Sequence, residues 1–488
     1  MTDRQEAQID RFNEARGGSD SDQFSKEAFA DFAQGRTSWN DRFTKQFDEK
    51  LKKMFDGDKP LEISPEPAQK DKQNWTIAFN LATDFGGECT IEKRTKKLQE
   101  LAGQTEGKPV TIVVQASVLD EKTGKYNLER FVLKDGEVTK LKSPGESKGY
   151  GADVEGLLKY ATDKYPCKNL GLILDSHGHG NEGLQGDSGD VSMPDFKKHV
   201  QSALKGSGHD KLDFLQFDAC LMAQNGVLET THDLANHIVA SAQPEGVTAD
   251  TAAADNTNLA HLLKNPNISA DKLAEYCVEQ AKDVNGFDTL AHFDMAKYGA
   301  FRKSLDNFGD QLSNIMQDPE KRDVLRGIIR DSFQYGSQFR ILGIFGKDGQ
   351  NGKPPSDSRP DSKPPSLLEL LPQLFERPFS RPSFEGVDLG NIGRNLGTGK
   401  RDLKDFVEKL IAAIDDGKIK DEGKKLRDAA QQLLKDGAEL TKSYFGRDEH
   451  KKLGGLSVFL PMTPDDNADA AIPSADGGWR RFQQLLRK

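Results

Sequence analysis

Runs of apolar residues punctuated by glycine and charged residues divide the chain into alternating elements. Trp75 to Leu81 reads as a buried strand, Glu92 to Leu101 as a charged helix, and Val110 to Gln115 as a second buried strand. A strand, helix, strand succession at this spacing is a βαβ unit and predicts a parallel sheet. Tyr126 to Val138 alternates as a hairpin turning at Lys134-Asp-Gly136, and Ala152 to Tyr165 reads as a helix. Two further runs end abruptly at reactive side chains. Leu170 to Leu174 leads into Asp175-Ser-His177-Gly178, and Leu212 to Phe217 leads into Asp218-Ala-Cys220. Gly180 to Lys211 between them reads as loop and helix. Leu221 to His237 is expected as a helix, followed by a strand at Ile238 to Ser241, a helix at Ala270 to Asp283, a strand at Thr289 to Asp294, and helices to about Phe345. Later, Asp402 to Phe406 resumes helix, Asp421 to Tyr444 reads as one long helix, and Leu456 to Leu460 as a final strand. No internal repeat is visible.

Two stretches break this pattern. In the polar N-terminal extension, Trp39, Phe43, Phe47, Leu51 and Phe55 recur every four residues, which predicts an amphipathic helix over 38–55. Lys353-Pro-Pro, Arg359-Pro, Lys363-Pro-Pro, Arg377-Pro and Arg381-Pro crowd a second stretch, which reads as a polyproline-like insert. The expected organisation is therefore an extension at 1–73, an α/β core at 74–345, a Pro/Gly-rich insert at 346–400, and helices with a final strand at 401–488.

Composition narrows the function. At 488 residues the chain exceeds one minimal core, and 35% hydrophobic against 30% charged residues fits a core carrying polar additions. A net charge of -10 argues against a general nucleic-acid binder, which needs a basic face to displace counterions. The N-terminus lacks a basic-then-apolar pattern, and no long apolar run follows. Neither a cleaved signal nor stable membrane insertion is expected, so the default location is cytoplasmic, with export by a signal-less route left open. Cys89, Cys167, Cys220 and Cys277 are widely spaced, which fits neither a disulfide framework nor a zinc ribbon.

The chemistry lies in the two abrupt strand ends. In an open parallel sheet, functional groups gather beyond the carboxyl ends of the strands. If those two strands are neighbours, His177 and Cys220 approach each other as proton carrier and thiol nucleophile. A helix starting at Leu221 would lower the thiol pKa through its positive end. The N–H groups of Gly178 and Cys220 would form an oxyanion hole. The bland readings are a buried structural cysteine and a His-Gly turn; two such motifs on matching strands weigh against them. His177-Gly-His179 offers too few ligands for a metal, and no metal is expected.

The approach to Ser176-His177-Gly178, and above all Asp218-Ala-Cys-Leu-Met-Ala223, resembles the histidine and cysteine blocks of the clostripain-like (C11) cysteine peptidases. Trp75 to Asp84, Thr289 to Asp294, Asp402 to Phe406 and Gly455 to Pro461 are similar to other elements of that family. The resemblance implies a caspase-haemoglobinase-like α/β fold with a mostly parallel central sheet flanked by helices. It implies polypeptide substrates, cleavage after Arg or Lys, Cys220 as nucleophile and His177 as general acid/base. It makes Asp218 the floor of the S1 pocket, where a carboxylate would pair with a basic side chain. Ala240-Ser-Ala-Gln-Pro-Glu245-Gly246 matches the family's acidic region only in part, leaving Glu245 and Asp250, with His179, as secondary substrate contacts. The family further implies a zymogen cut in cis between histidine and cysteine, at Lys197, Lys198, Lys205 or Lys211, with Arg359 and Lys363 as alternatives. No cofactor is needed for the chemistry; calcium is implied for some relatives, although no calcium-binding loop is evident. The competing reading is a catalytically silent caspase-like scaffold.

Overall fold

The computed structural model describes residues 73–246, 248–335, 399–420, 423–460 and 477–487. The helix expected over 38–55, nearly all of the extension and the Pro-rich insert, Arg359, Lys363 and Pro461 lie outside the described residues. In chain order the elements begin with β1 (Gln73–Leu81), α1 (Ile91–Gln99), β2 (Val110–Asp120), β3 (Lys125–Lys134), β4 (Glu137–Lys140), β5 (Gly145–Glu146), α2 (Tyr150–Lys164) and β6 (Cys167–Asp175). A small hairpin region follows, β7 (His177–Gly178), β8 (Leu184–Gly186) and β9 (Gly189–Val191), then α3 (Met193–Leu204), β10 (Leu212–Asp218), α4 (Asn225–Thr231) and β11 (Ala235–Ala240). Next come α5 (Ala249–Lys264), α6 (Ala270–Gln280), β12 (Thr289–Asp294), α7 (Tyr298–Ile315) and α8 (Pro319–Asp331). The last are β13 (Lys400–Asp402), α9 (Leu403–Asp415), α10 (Gly423–Leu440), β14 (Thr441–Gly446), β15 (Ser457–Phe459) and α11 (Gly478–Leu486).

The strands assemble into a ten-stranded sheet in the order β14-β12-β11-β10-β6-β1-β2-β3-β4, with β5 paired to β3. Its centre, from β11 to β2, is parallel, and both flanks are antiparallel. The central strands are apolar on both faces because helices cover both. Ala78, Leu172, Leu174, Leu215 and Phe217 pack with α2 and α3 on one side. Trp75, Ile77, Phe79, Ile173 and Phe214 pack with α1, α5 and α6 on the other. Leu170, Leu172 and Leu174 are fully buried, each contributing roughly 1.5–3 kcal/mol. The β3–β4 hairpin turns where expected: Asp135 and Gly136 both have positive φ, 50° and 86°, as a two-residue primed turn requires.

Strand order sets the site. The chain adds β2 on one side of β1 and then returns to add β6 on the other, followed by β10 beyond it. The loops leaving β1 and β6 therefore diverge, opening a crevice at the carboxyl ends. β6 and β10 are parallel neighbours, with Asp175 opposite Asp218.

Two expectations are corrected. The helix placed at Leu221 to His237 begins only at Asn225 and ends at Thr231. Before it, Leu221 adopts φ 65° and Ala223 N–H donates to Ser241 O, neither compatible with a first helical turn. The long helix placed to Tyr444 ends at Leu440; Thr441–Gly446 pairs with β12 as the edge of the main sheet. Thr441, Tyr444 and Phe445 favour a strand once an open sheet edge is within reach. β15 lies outside the main sheet and pairs with β13. Beside β13, Gln334 bridges Arg401 and Tyr335 N–H donates to Lys400 O at 3.0 Å.

Candidate active site

Loops after β1, β6, β10 and β11 converge on one pocket enclosing about 450 Å³ and open to solvent. Phe85, His177, Cys220 and Glu245 line it, one from each loop. The ends of β6 and β10 are tied together by Ser176 N–H donating to Asp218 O at 3.2 Å, and Tyr150 Oη bonds Ser176 Oγ at 3.0 Å. This tie delivers His177 and Cys220 to the same pocket, as the strand-end pattern implied.

Gly178 sits directly against the Cys220 peptide. A Cβ there would meet Cys220 O at 2.2 Å and Cys220 N at 3.0 Å, so no larger residue fits. This is the close approach an oxyanion hole built from these two peptides would need. The next residue beyond the thiol, Leu221, holds a left-handed backbone, which costs on the order of 1 kcal/mol for a side-chain-bearing residue. Its N–H donates to Gln243 O at 3.2 Å and its side chain is buried, which fixes the turn.

Cys220 Sγ accepts from the Glu245 N–H at 3.3 Å, and Phe85 meets the His177 ring edge-on, with centroids 5.0 Å apart. Burial, with the Glu245 charge beside it, pushes the thiol up to about 12. Burial, with the neighbouring His179, lowers His177 to about 4, although solvent still reaches the ring. At neutral pH both groups are uncharged and the proton sits on sulfur. The expected lowering of the thiol pKa by a helix end is thus corrected: that helix starts at Asn225, and local carboxylates act the other way.

The foot of the pocket is acidic. Asp175, Asp218 and Asp255 place one oxygen each within 4.8 Å of the others, and Glu245 lines the same space. Asp255 comes from α5 and accepts from Gln216 Nε2 at 2.6 Å. Arg94 of α1, buried, forms an ion pair with Asp175, donates to Thr83 O at 3.2 Å and lies over the Phe85 ring. One guanidinium thus faces four carboxylates. Burial first, then the charge of Asp218 and a hydrogen bond to it, holds Asp255 and Glu245 well above the usual carboxylate range; burial also raises Asp218.

Of the secondary contacts expected, only Glu245 lines the pocket. Asp250 accepts from Asn285 Nδ2 at 2.7 Å on the exposed start of α5, and His179 Nε2 bonds Gln185 Oε1 at 3.2 Å within the β7–β8 hairpin. Sequence reasoning missed Arg94, Asp175 and Cys89, which also line the pocket, and Asp255, which clusters with Asp175 and Asp218 at its foot. Asp175 ends the histidine strand as Asp218 ends the cysteine strand, a symmetry visible in the sequence. Arg94 and Asp255 sit on helices and carried no local signal. Of the four lysines expected as processing sites, Lys197 and Lys198 lie within α3 with ion pairs to Asp233 and Asp195. Lys211 donates to His232 O, whereas Lys205 is exposed at the end of α3, beside Gly206 and Gly208 with positive φ.

The profile of the clostripain family (peptidase C11) matches residues 98–345, about half of the chain. No curated protein sequence matches. Among solved structures, a secreted C11 cysteine protease from Bacteroides thetaiotaomicron, called iotapain, is similar at 12% identity over 80% of this chain and 94% of its own, with a TM-score of 0.46. An inactive zymogen C11 protease from Parabacteroides distasonis is similar at 12% identity over 86% of this chain and 100% of its own, TM-score 0.44. A third, a secreted C11 cysteine protease from B. thetaiotaomicron in complex with an irreversible peptide inhibitor, shares 17% identity over 48% of this chain and 70% of its own, TM-score 0.38. No helix among the described residues is long and apolar enough to cross a membrane.

Proposed function

We propose, from the premise that the chain belongs to the clostripain family and is a cysteine endopeptidase acting on polypeptides, that it cuts after Arg or Lys through Cys220 and His177. The observation that carries this reading is the acidic foot beside the thiol. Asp218 lies against both Asp255 and Glu245, and the one guanidinium among the lining residues, Arg94, is engaged by Asp175. A P1 guanidinium or ammonium entering there would meet buried carboxylates and release their shared protons.

In the proposed reaction, Cys220 Sγ attacks the P1 carbonyl carbon. Its proton passes through His177 to the amine that leaves as the C–N bond breaks. The carbonyl oxygen charge is taken by the Gly178 and Cys220 peptides. Water then cleaves the thioester, giving the P1 carboxylate and returning the proton to sulfur. The raised thiol pKa and the Glu245 backbone against Sγ fit a resting, latent state, in line with a zymogen. Lys205 is exposed and caps the end of α3 instead of lying within it, which favours it among the expected self-processing positions. The resemblance also implied calcium. The carboxylate triad Asp175, Asp218 and Asp255 has the right oxygen chemistry, but the Arg94 guanidinium already holds Asp175. Calcium does not fit there, and no step is routed through it.

The test is turnover of fluorogenic peptides with Arg, Lys or Asp at P1 by wild type, Cys220→Ala and His177→Ala. Arg or Lys turnover abolished by both substitutions is expected; turnover of none, before and after processing, would leave a silent scaffold. Wild type and Lys205→Ala are then compared on gels, with Cys220→Ala as the uncut control. Intact wild type under every condition, added calcium included, sinks self-processing.

A further inference from the structure

A second polar cluster lies away from the thiol, where β11, β12 and the start of α6 meet. In the antiparallel register His292 lies opposite Val239, so it is diagonal to His237 on the same face of the sheet. His237 Nδ1 and His292 Nε2 are 3.1 Å apart. Asp271, in the first turn of α6, brings a carboxylate oxygen, and the three ligand atoms all lie within 4.8 Å of one another. We propose that His237, His292 and Asp271 bind a zinc-type divalent transition-metal ion that clamps β11, β12 and α6 together.

The geometry suits an ion. Two nitrogens at about 2.0–2.1 Å from a tetrahedral zinc stand roughly 3.3 Å apart, close to the 3.1 Å found here. His292 is fully buried, so its Nε2 would hold an ion out of solvent. Two imidazoles and one carboxylate suit zinc, whereas calcium and magnesium take oxygen ligands throughout. His237 and Asp271 are half-buried, which gives the ion a way in and leaves a coordination position for water. Lys442 now pairs with Asp271 and would be displaced as the ion enters.

The clamp would reach the catalytic pocket along the backbone. β11 runs straight into the segment whose Glu245 N–H meets Cys220 Sγ. Thr289, the first residue of β12, bonds Ser241, Ala242 and Gln243 of that segment. Fixing β11 against β12 therefore fixes the backbone beside the thiol.

The experiment uses the full chain carrying Cys220→Ala, so that the pocket thiol takes no ion, stripped with a chelator and titrated with Zn²⁺ by calorimetry. One equivalent is expected to bind and to raise the melting temperature. Adding His237→Asn or Asp271→Asn, each checked for folding by circular dichroism, should weaken binding at least about tenfold and abolish the melting shift. Lys442→Met removes the competing cation and should bind Zn²⁺ more tightly. Co²⁺ should give the intense visible bands of a four-coordinate nitrogen and oxygen site without a thiolate charge-transfer band. Equal affinity with and without His237, no tightening in Lys442→Met, or a thiolate band would each overturn the assignment.

Discussion

The two buried polar clusters of this sheet differ in how their charge is balanced. At the pocket foot, the carboxylates Asp175, Asp218 and Glu245, with Asp255 behind them, share one guanidinium, so the folded chain carries an excess it must hold as protons. At the β11–β12 pair, the carboxylate of the three-residue cluster, Asp271, is matched by Lys442, and its partners in the cluster are imidazoles. The first cluster opens into a pocket beside a thiol; the second lies between two neighbouring strands and the start of α6. Unbalanced buried charge beside an opening is where a cationic group is missing, which is the physical content of the proposed basic S1 preference.

Four substitutions test that contrast, from largest effect to smallest. Arg94→Met removes the one cation from the acidic foot and should destabilise the fold by about 3–5 kcal/mol, read from urea midpoints. A loss below 1 kcal/mol would mean that Asp175 is not held by Arg94. Asp218→Asn should lower kcat/KM on Arg and Lys peptides by roughly 10² or more, a little under 3 kcal/mol, while leaving the melting temperature close to wild type or above it. An unchanged kcat/KM would remove Asp218 from substrate recognition.

Asp255→Asn acts through pH. Asp218, Asp255 and Glu245 all have folded pKa values raised above their ordinary ones. Their protons are thus kept in the folded chain after the unfolded chain has released them at about pH 4, and stability falls as pH rises through the folded values. Asp255→Asn should therefore gain on the order of 1 kcal/mol over wild type at pH 8 and little at pH 4, seen in melting curves across that range. A gain that did not grow with pH would show that the excess charge is not a cost. The smallest effect is expected at the balanced cluster. Its ion pair is partly exposed, so Lys442→Met without metal should change stability by less than about 1 kcal/mol.

Much of this was legible in the sequence where a local pattern carried the information. The strands ending at His177 and Cys220 announced themselves because β6 and β10 are buried on both faces and so read as continuous apolar runs. The Asp135-Gly136 turn was equally local. The start of α4 was not, because Leu221 to Gln224 is held by Gln243, Ser241 and Ser457, partners far along the chain. β14 read as the tail of a helix because only the exposed edge of β12 makes Thr441–Gly446 a strand. Arg94 and Asp255 were invisible for the same reason: nothing in α1 or α5 says that their side chains end beside Asp175 and Asp218. Family resemblance supplied the roles proposed for Asp218 and the thiol, but the second ring of charges around them emerged only from the packing.

The seam at β13 has a consequence for how this chain tolerates change. Phe333 O receives Asp402 N–H, Tyr335 N–H reaches Lys400 O, and Tyr335 Oη holds Asp402. Residues 335 and 400–402, far apart along the chain, are therefore joined by hydrogen bonds made among the described residues themselves. Closing a loop between two points already joined grows costlier only slowly, by roughly 0.6 kcal/mol for each doubling of its length. A change in the number of residues between these two points is therefore expected to cost the fold little.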